Sequence, residues 1–335
     1  MRPIKLAING LGRIGRTILR QVVLAKAPSP FHITHLNDIC GLEMTAYLLR
    51  FDSVYGELPA HIETTADTLV LDGCRIPFTE SPSFDVQLSD TDIVLDCTGK
   101  AHTREFAELG LHAGADKVLI SGPSSVADVT VVLGANEADI ADARIVSNAS
   151  CTTNALAPLI KLLDQNWGLI SAHMTTIHCY TGSQPMVDAP RGDMARSRAG
   201  ALSMVPTTTS AEALVAAVLP DMASRLTGSA VRVPTASVSA IDIVAQFREL
   251  PQDDVVLELR EIADSAELIG YTDYPNVSAD MRGRPESVIL ALPETRQLGR
   301  QQLRVFGWYD NEWGFSARML DMTQRLMKAD FETGD

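Results

Sequence analysis

At 335 residues the chain is longer than one ordinary hydrophobic core organises, so two domains are expected. Hydrophobic residues make up 46% of it and mean hydropathy is +0.06, which excludes a disordered chain, and no apolar run approaches the roughly 20 residues that span a bilayer. A formal net charge of −14 and a pI near 4.9 disfavour nucleic acid as a partner and oblige any site for an anionic substrate to supply its own cations or dipoles.

The N-terminal stretch MRPIKLAINGLG runs directly into a strand pattern, without a long apolar segment or cleavage site, so no secretory signal is read. Ile4–Asn9 reads as a buried strand and Ile14–Lys26 as a helix. Between them Gly10, Gly12 and Gly15 form G-x-G-x-x-G. In that setting the first glycine permits a tight turn, the second lets backbone approach a pyrophosphate, and the third lets helix and strand pack closely. A second strand, His32–Asn37, ends at Asp38, where a carboxylate can bind ribose hydroxyls and repel a 2′-phosphate; NAD is therefore expected over NADP. The alternatives are a glycine-rich turn without ligand and a surface turn residue.

Strand-like runs recur at Ile93–Asp96, Lys117–Ile120, Val129–Leu133 and Ile145–Ser147, alternating with helical patterns, which predicts βαβ units and a mostly parallel Rossmann-type sheet. Near Asn148 the texture changes. HMTTIHCY and SAVRVPTASVSAIDIVAQF alternate polar and apolar residues, as in half-buried, mainly antiparallel strands packed on helices. The expected fold class is thus α/β: a Rossmann-type domain over 1–150 and an α+β catalytic domain over 151–314. Ala211, Leu214, Val215, Val218, Leu219 and Met222 fall at helical spacing and read as core, as do Phe315, Met319, Met322 and Leu326 in a last helix. Residues 182–200 read as a long ordered loop, of a length usually kept for function.

Cys40, Cys74, Cys97, Cys151 and Cys179 are an odd set without C-x-x-C, which argues against a zinc ribbon or a disulfide framework; no metal is expected, and a reducing cytoplasm fits. Cys151 sits between the Ile145–Ser147 run and an apolar helical pattern from Ala155 through Leu163, flanked by the hydroxyls of Ser150, Thr152 and Thr153. A thiol at a helix N-terminus is expected to ionise more easily than usual. His178, in TTIHCYT, is the candidate base. Pattern alone leaves a buried structural cysteine and a satisfied strand histidine open.

The chain resembles phosphorylating glyceraldehyde-3-phosphate dehydrogenases through INGLGRIGR (8–16), FDSVYG (51–56), IVSNASCTTNALAP (145–158), TTIHCYTGSQ (175–184), VRVPTASVS (231–239) and WYDNEWGFSARM (308–319), in family order. The resemblance implies Cys151 as nucleophile and His178 as base, with a thioacyl intermediate released by inorganic phosphate. Thr181 and Arg232 match the family's residues for the sugar phosphate's own phosphate group. Ser150, Thr152, Arg196 and Thr209 match its inorganic-phosphate site. For the cofactor it implies Gly10, Gly12, Arg13, Ile14, Gly15, Asp38, Thr98, Gly99, Ser121 and Asn311. It further implies a homotetramer, an S-loop over about 181–203, and a C-terminal helix, 315–335, that returns to the first domain.

Some positions depart from the family pattern: Ala155 for a second cysteine, Gly182 for an asparagine, Ser210 for a glycine, Phe315 for a tyrosine and Ser81 for a basic residue. The nearest rival is erythrose-4-phosphate dehydrogenase, against which the Tyr180–Thr181 pair supports a triose phosphate. A rival of another class is a non-catalytic NAD-binding redox sensor, which would need no substrate-phosphate residues.

Overall fold

The structure, a computed structural model, describes residues 2–25, 29–251 and 254–332. The chain divides into two compact units, one comprising Met1–Val131, Glu137–Ala149 and Ser316–Asp335, the other Val132–Asn136 and Ser150–Phe315.

The first unit carries β1 (Ile4–Asn9), α1 (Arg13–Leu24), β2 (Phe31–Asn37), α2 (Leu42–Arg50), β3 (Ile62–Thr65), β4 (Thr68–Leu71), β5 (Cys74–Thr79), β6 (Ile93–Asp96), β7 (Lys117–Ile120), β8 (Val129–Thr130) and β9 (Ile145–Ser147). They form a nine-stranded sheet in the order β8-β9-β7-β6-β1-β2-β5-β4-β3. The strands from β8 through β5 pair in parallel, and β5, β4 and β3 continue as an antiparallel meander. All four residues of β6 and of β7 are buried, as expected when helices cover both faces of a parallel sheet. The expected Val129–Leu133 strand is shorter, because only Val129 and Thr130 find a ladder, on β9; Val131 and Val132 are buried beyond it. Helix α1 begins one residue earlier than expected, at Arg13; Lys26, its expected end, lies outside the described residues.

The second unit opens with α3 (Cys151–Trp167), followed by β10 (Leu169–Cys179), β11 (Val205–Thr207), α4 (Ala211–Val218), β12 (Leu226–Val233), β13 (Ser239–Phe247), α5 (Val255–Asp264), β14 (Ile269–Thr272), β15 (Val288–Ala291) and β16 (Gln302–Tyr309). Strand order is β11-β12-β10-β13-β16-β15-β14, with Arg296–Leu298 also on β16. Most pairs are antiparallel, but β10–β12 and β14–β15 are parallel. The helical stripe read between Ala211 and Met222 breaks into α4 and a 3-10 turn at Pro220–Met222, and its buried members are Ala211, Val215, Val218 and Met222.

Helix α6 (Trp313–Glu332) starts in the second unit and continues into the first; the last residues of the expected 315–335 helix, 333–335, lie outside the described residues. Its stripe of Phe315, Met319, Met322 and Leu326 is buried, as the periodicity predicts. In the long loop, Gly200 N–H donates to Pro185 O at 3.0 Å and Ala189 N–H to Ser197 O at 2.9 Å around a 3-10 turn at Ala195–Ser197.

Candidate active site

In the first unit the glycine turn is built on contact distances. Gly10 has φ +91°, and a Cβ there would lie 2.8 Å from the Cys97 and Thr98 backbone. A Cβ on Gly15 would lie 2.0 Å from Gly10 O, whereas one on Gly12 would meet no atom within 4 Å. Helix α1 has no side-chain cap at Gly12, so the amides of its first turn face that open space. Gly15→Ala is therefore expected to lower the melting temperature, through overpacking worth ~1–3 kcal/mol. Gly12→Ala should leave melting nearly unchanged while weakening dinucleotide binding, as thermal melts and NAD titration of the two variants will check.

Asp38 accepts from Leu11 N–H at 2.5 Å and from Cys40 N–H at 2.8 Å, which pins its carboxylate beside the glycine loop. Asp38, Gly10, Gly12, Ser81, Thr98 and Lys100 are among the residues lining a cavity of about 260 Å³. Thr98 donates to Asp96 through both N–H and hydroxyl, Gly99 has φ +67° with open space where a Cβ would be, and Ser121 N–H donates to Asp96 O at 2.9 Å. Lys100 was not singled out from sequence, although it is a cation two residues past Thr98. The side chain of Arg13 turns instead to Asp52, at 2.5 Å, and to the Tyr55 ring, 5.7 Å from its centroid. Asp52 also accepts from Val54 N–H and Tyr55 N–H, so the FDSVYG motif serves to hold Arg13. That leaves Arg13 and Ile14 their helix-start amides as groups to offer a phosphate. Open glycine positions, uncapped amides and a pinned carboxylate fit a dinucleotide.

In the second unit Cys151 is the first residue of α3. Ser150 caps the helix, its hydroxyl accepting from Thr153 N–H at 3.1 Å, and Ala149 before it takes φ +53°, a strained conformation for a residue with a Cβ. Strand β10 brings His178 in, with Nε2 3.6 Å from Cys151 Sγ. The parallel register of β10 and β12 sets His178 beside Arg232. His178 Nδ1 lies 2.7 Å from Cys179 O and 2.6 Å from Arg232 Nη1, and Arg232 Nη1 also donates to Cys179 O at 3.0 Å.

Burial, and secondarily the Arg232 charge, push His178 down to about 4, so the imidazole is neutral at pH 7. Burial also pushes the Cys151 thiol up, against the Arg232 charge and hydrogen bonds from Thr152 and the helix-start backbone. Burial thus acts against the easy ionisation expected of a thiol at a helix terminus, while the Arg232 charge and the helix-start hydrogen bonds act for it.

Tyr309 escaped the sequence reading. Its buried hydroxyl sits 2.9 Å from both Thr152 Oγ1 and Thr176 Oγ1, and its ring meets the His178 ring edge-on at 6.1 Å. The W-Y-D-N run could have flagged it, since a buried tyrosine needs a hydrogen-bond partner. Thr152 is accordingly committed to Tyr309, as Ser150 is to the helix cap. Asn311 Oδ1 lies within reach of the Cys179 thiol at 3.1 Å and the Ser239 hydroxyl at 3.2 Å, an arrangement that keeps its amide nitrogen as the group to offer.

Arg196 donates from Nε to Thr207 Oγ1 at 2.5 Å and from Nη2 to Thr208 Oγ1 at 3.1 Å; Thr209 Oγ1 accepts from Ala211 N–H at the start of α4. This group stands on and beside β11, the neighbour of Arg232's strand, with Val205 paired to Arg232. Thr181 Oγ1 contacts Ser183 Oγ at 2.9 Å. The structure thus joins Cys151 to His178 and His178 to Arg232, and it ties Arg196 to Thr207 and Thr208, which precede Thr209 in the chain.

Among the described residues no helix is long and apolar enough to cross a membrane. Residues 4–104 match the family model for the glyceraldehyde 3-phosphate dehydrogenase NAD binding domain, and residues 150–311 that for the same family's C-terminal domain. The chain is 41% identical to glyceraldehyde-3-phosphate dehydrogenase of Xanthobacter flavus, covering 97% of this chain and 99% of the relative. Identity to the Pseudomonas aeruginosa enzyme of that name is 42%, over 97% and 99%. To glyceraldehyde-3-phosphate dehydrogenase 1 of Bacillus subtilis it is 37%, over 97% and 98%. With both domain models matched in order and relatives aligned nearly end to end, the chain belongs to the glyceraldehyde-3-phosphate dehydrogenase family.

Proposed function

We propose that the chain catalyses NAD-dependent, phosphorylating oxidation of glyceraldehyde 3-phosphate to 1,3-bisphosphoglycerate, with Cys151 as nucleophile and His178 as general base. The observation that carries this reading is the meeting of Cys151, His178 and Arg232, drawn from α3, β10 and β12, at 3.6 Å and 2.6 Å. A thiol beside a neutral imidazole can surrender its proton to Nε2 as sulfur attacks an aldehyde carbon. The tetrahedral oxygen that forms is held by the Cys151 backbone N–H at the head of α3 and by His178 Nε2–H. Bound NAD supplies the acceptor for the hydride that leaves that carbon, and Cys151 is left acylated. Inorganic phosphate held by Arg196 and Thr209 then attacks the thioester carbon; the thiolate departs and regains its proton from His178. Ser150 and Thr152 would have to exchange their present bonds to contribute to that phosphate site.

Thr181 and Arg232 bind the phosphate of the substrate, and Arg232 gives this acidic chain the local cation it needs. Asn311 orients the nicotinamide carboxamide through its free amide nitrogen. The S-loop completes the cofactor site in a homotetramer, acting in the cytoplasm. The reading is tested by assaying NAD reduction with glyceraldehyde 3-phosphate, erythrose 4-phosphate and unphosphorylated glyceraldehyde: it expects the triose phosphate to give the highest kcat/KM, and a preference for the tetrose phosphate would overturn it.

Cofactor choice follows from Asp38. Its carboxylate, fixed by two backbone amides, repels a 2′-phosphate. Lys100 lines the same cavity, so the repulsion is partly offset, but a lysine on a flexible stem does not replace the two acceptor oxygens the ribose needs. NAD should be preferred, and Asp38→Ala should narrow the preference by weakening NAD and admitting NADP. Equal kcat/KM for both cofactors in the unmodified enzyme would contradict this assignment.

A further inference from the structure

Cys179, the last residue of β10, is a buried thiol that the proposed chemistry leaves unused. Ser239, the first residue of β13, is as fully enclosed; each is 1% exposed. Because β10 and β13 pair, their ends meet, and Cys179 N–H donates to Ser239 Oγ at 3.2 Å. That bond uses a lone pair of the serine and leaves its hydroxyl hydrogen in need of an acceptor, as the thiol hydrogen is. Asn311 Oδ1 lies 3.1 Å from Cys179 Sγ and 3.2 Å from Ser239 Oγ, and an amide oxygen has a lone pair for each. Were the amide turned over, its nitrogen would face two buried donors and both would lose this acceptor. The main chain around Asn311 is held separately, by Asp310, whose carboxylate accepts from the N–H groups of Gly283, Glu312 and Trp313. What Cys179 and Ser239 decide is therefore which way the amide of Asn311 points.

We propose that Cys179 and Ser239 are positioning residues for cofactor recognition: by holding Asn311 Oδ1 between a thiol and a hydroxyl, they make Asn311 a hydrogen-bond donor alone toward the nicotinamide, so that it recognises the carbonyl oxygen of the carboxamide and not its amino group. The proposal rests on the reading that Asn311 orients the carboxamide. An asparagine amide that turns freely offers either an oxygen or a nitrogen and matches a carboxamide in both of its orientations. With its oxygen committed it matches one. The two buried residues thus set the selectivity of a group that they do not themselves present to the cofactor.

The test is calorimetry on the full-length enzyme with NAD and with pyridine adenine dinucleotide, the same molecule without its carboxamide. The double variant Cys179→Ala with Ser239→Ala is expected to bind NAD roughly 5- to 10-fold more weakly, the scale of one neutral hydrogen bond, and to bind the carboxamide-free dinucleotide as the unmodified enzyme does. Replacing Cys179→Ala by Cys179→Ser in that double variant returns a donor and should recover NAD binding. Equal weakening toward both dinucleotides, or NAD binding unchanged in the double variant, would overturn the proposal. Where the double variant fails to fold, Cys179→Ala alone decides, with a roughly 3-fold loss toward NAD only, because a thiol is a weak donor. Asn311→Ala separates the underlying reading: it should weaken NAD and spare the carboxamide-free dinucleotide. That result beside a double variant with unchanged NAD binding would overturn the positioning role and leave the reading of Asn311 intact. An Asn311→Ala enzyme that binds NAD as the unmodified one does would refute that reading, and the proposal with it.

Discussion

Cys151→Ser is expected to lose roughly 10⁴–10⁶-fold in kcat, the scale on which removal of a covalent nucleophile acts. A serine hydroxyl ionises far less readily than a thiol, and an oxygen ester would not be the thioester from which phosphate can be acylated. The same assignment predicts where an alkylating reagent goes. Cys97 and Cys179 are each pushed up to about 12 by burial and should stay silent, while Cys40 and Cys74 are exposed but have no histidine beside them. Sub-stoichiometric iodoacetamide should therefore label Cys151 first and remove activity in step. Activity lost in proportion to label on Cys40 or Cys74 would displace Cys151 from its role.

His178→Asn should slow turnover about 10²–10⁴-fold, the usual contribution of a general base, and depress iodoacetamide labelling of Cys151 by a comparable route. It should also change how stability responds to acid. His178 titrates near 4 in the fold against about 6.5 unfolded, so between those values the unfolded chain binds the extra proton. Stability from the neutral histidine is fully present above about 6.5 and is lost as pH falls toward 4. Melting temperatures taken across that window should fall less steeply in His178→Asn than in the unmodified chain, since the variant has no group there to protonate. Parallel curves, with turnover unchanged, would place His178 outside the catalytic pair.

The elements that positioned the cofactor site were legible because their causes are local. A glycine with φ +91°, a helix starting where its backbone is uncapped and a buried apolar strand each leave a signature within a few residues. The strands over Ile4–Asn9, Ile93–Asp96 and Lys117–Ile120 follow from the same local patterning. The meander over Ile62–Thr79 was missed, its short strands being stabilised by neighbours in the sheet more than by their own pattern. The meeting of Arg232 with His178 was not legible from residue patterning. Their closeness comes from a parallel pairing between strands far apart in sequence, inside a sheet that reads as antiparallel. The burial that acts against the thiol's ionisation was not legible for a related reason: a helix terminus can be seen in sequence, but burial is a property of the packed chain. Commitments such as Thr152 to Tyr309 and Arg13 to Asp52 likewise emerge only when distant segments meet.

The central claim is that oxidation proceeds through an acyl group on Cys151 that inorganic phosphate removes. Rapid mixing of enzyme and NAD with glyceraldehyde 3-phosphate, followed at the reduced cofactor with and without inorganic phosphate, tests it most directly. The account predicts a burst limited to one equivalent per Cys151 when phosphate is absent, followed by a stall, and sustained turnover to an acyl phosphate when phosphate is supplied. Sustained turnover without phosphate, releasing the free acid, would contradict it.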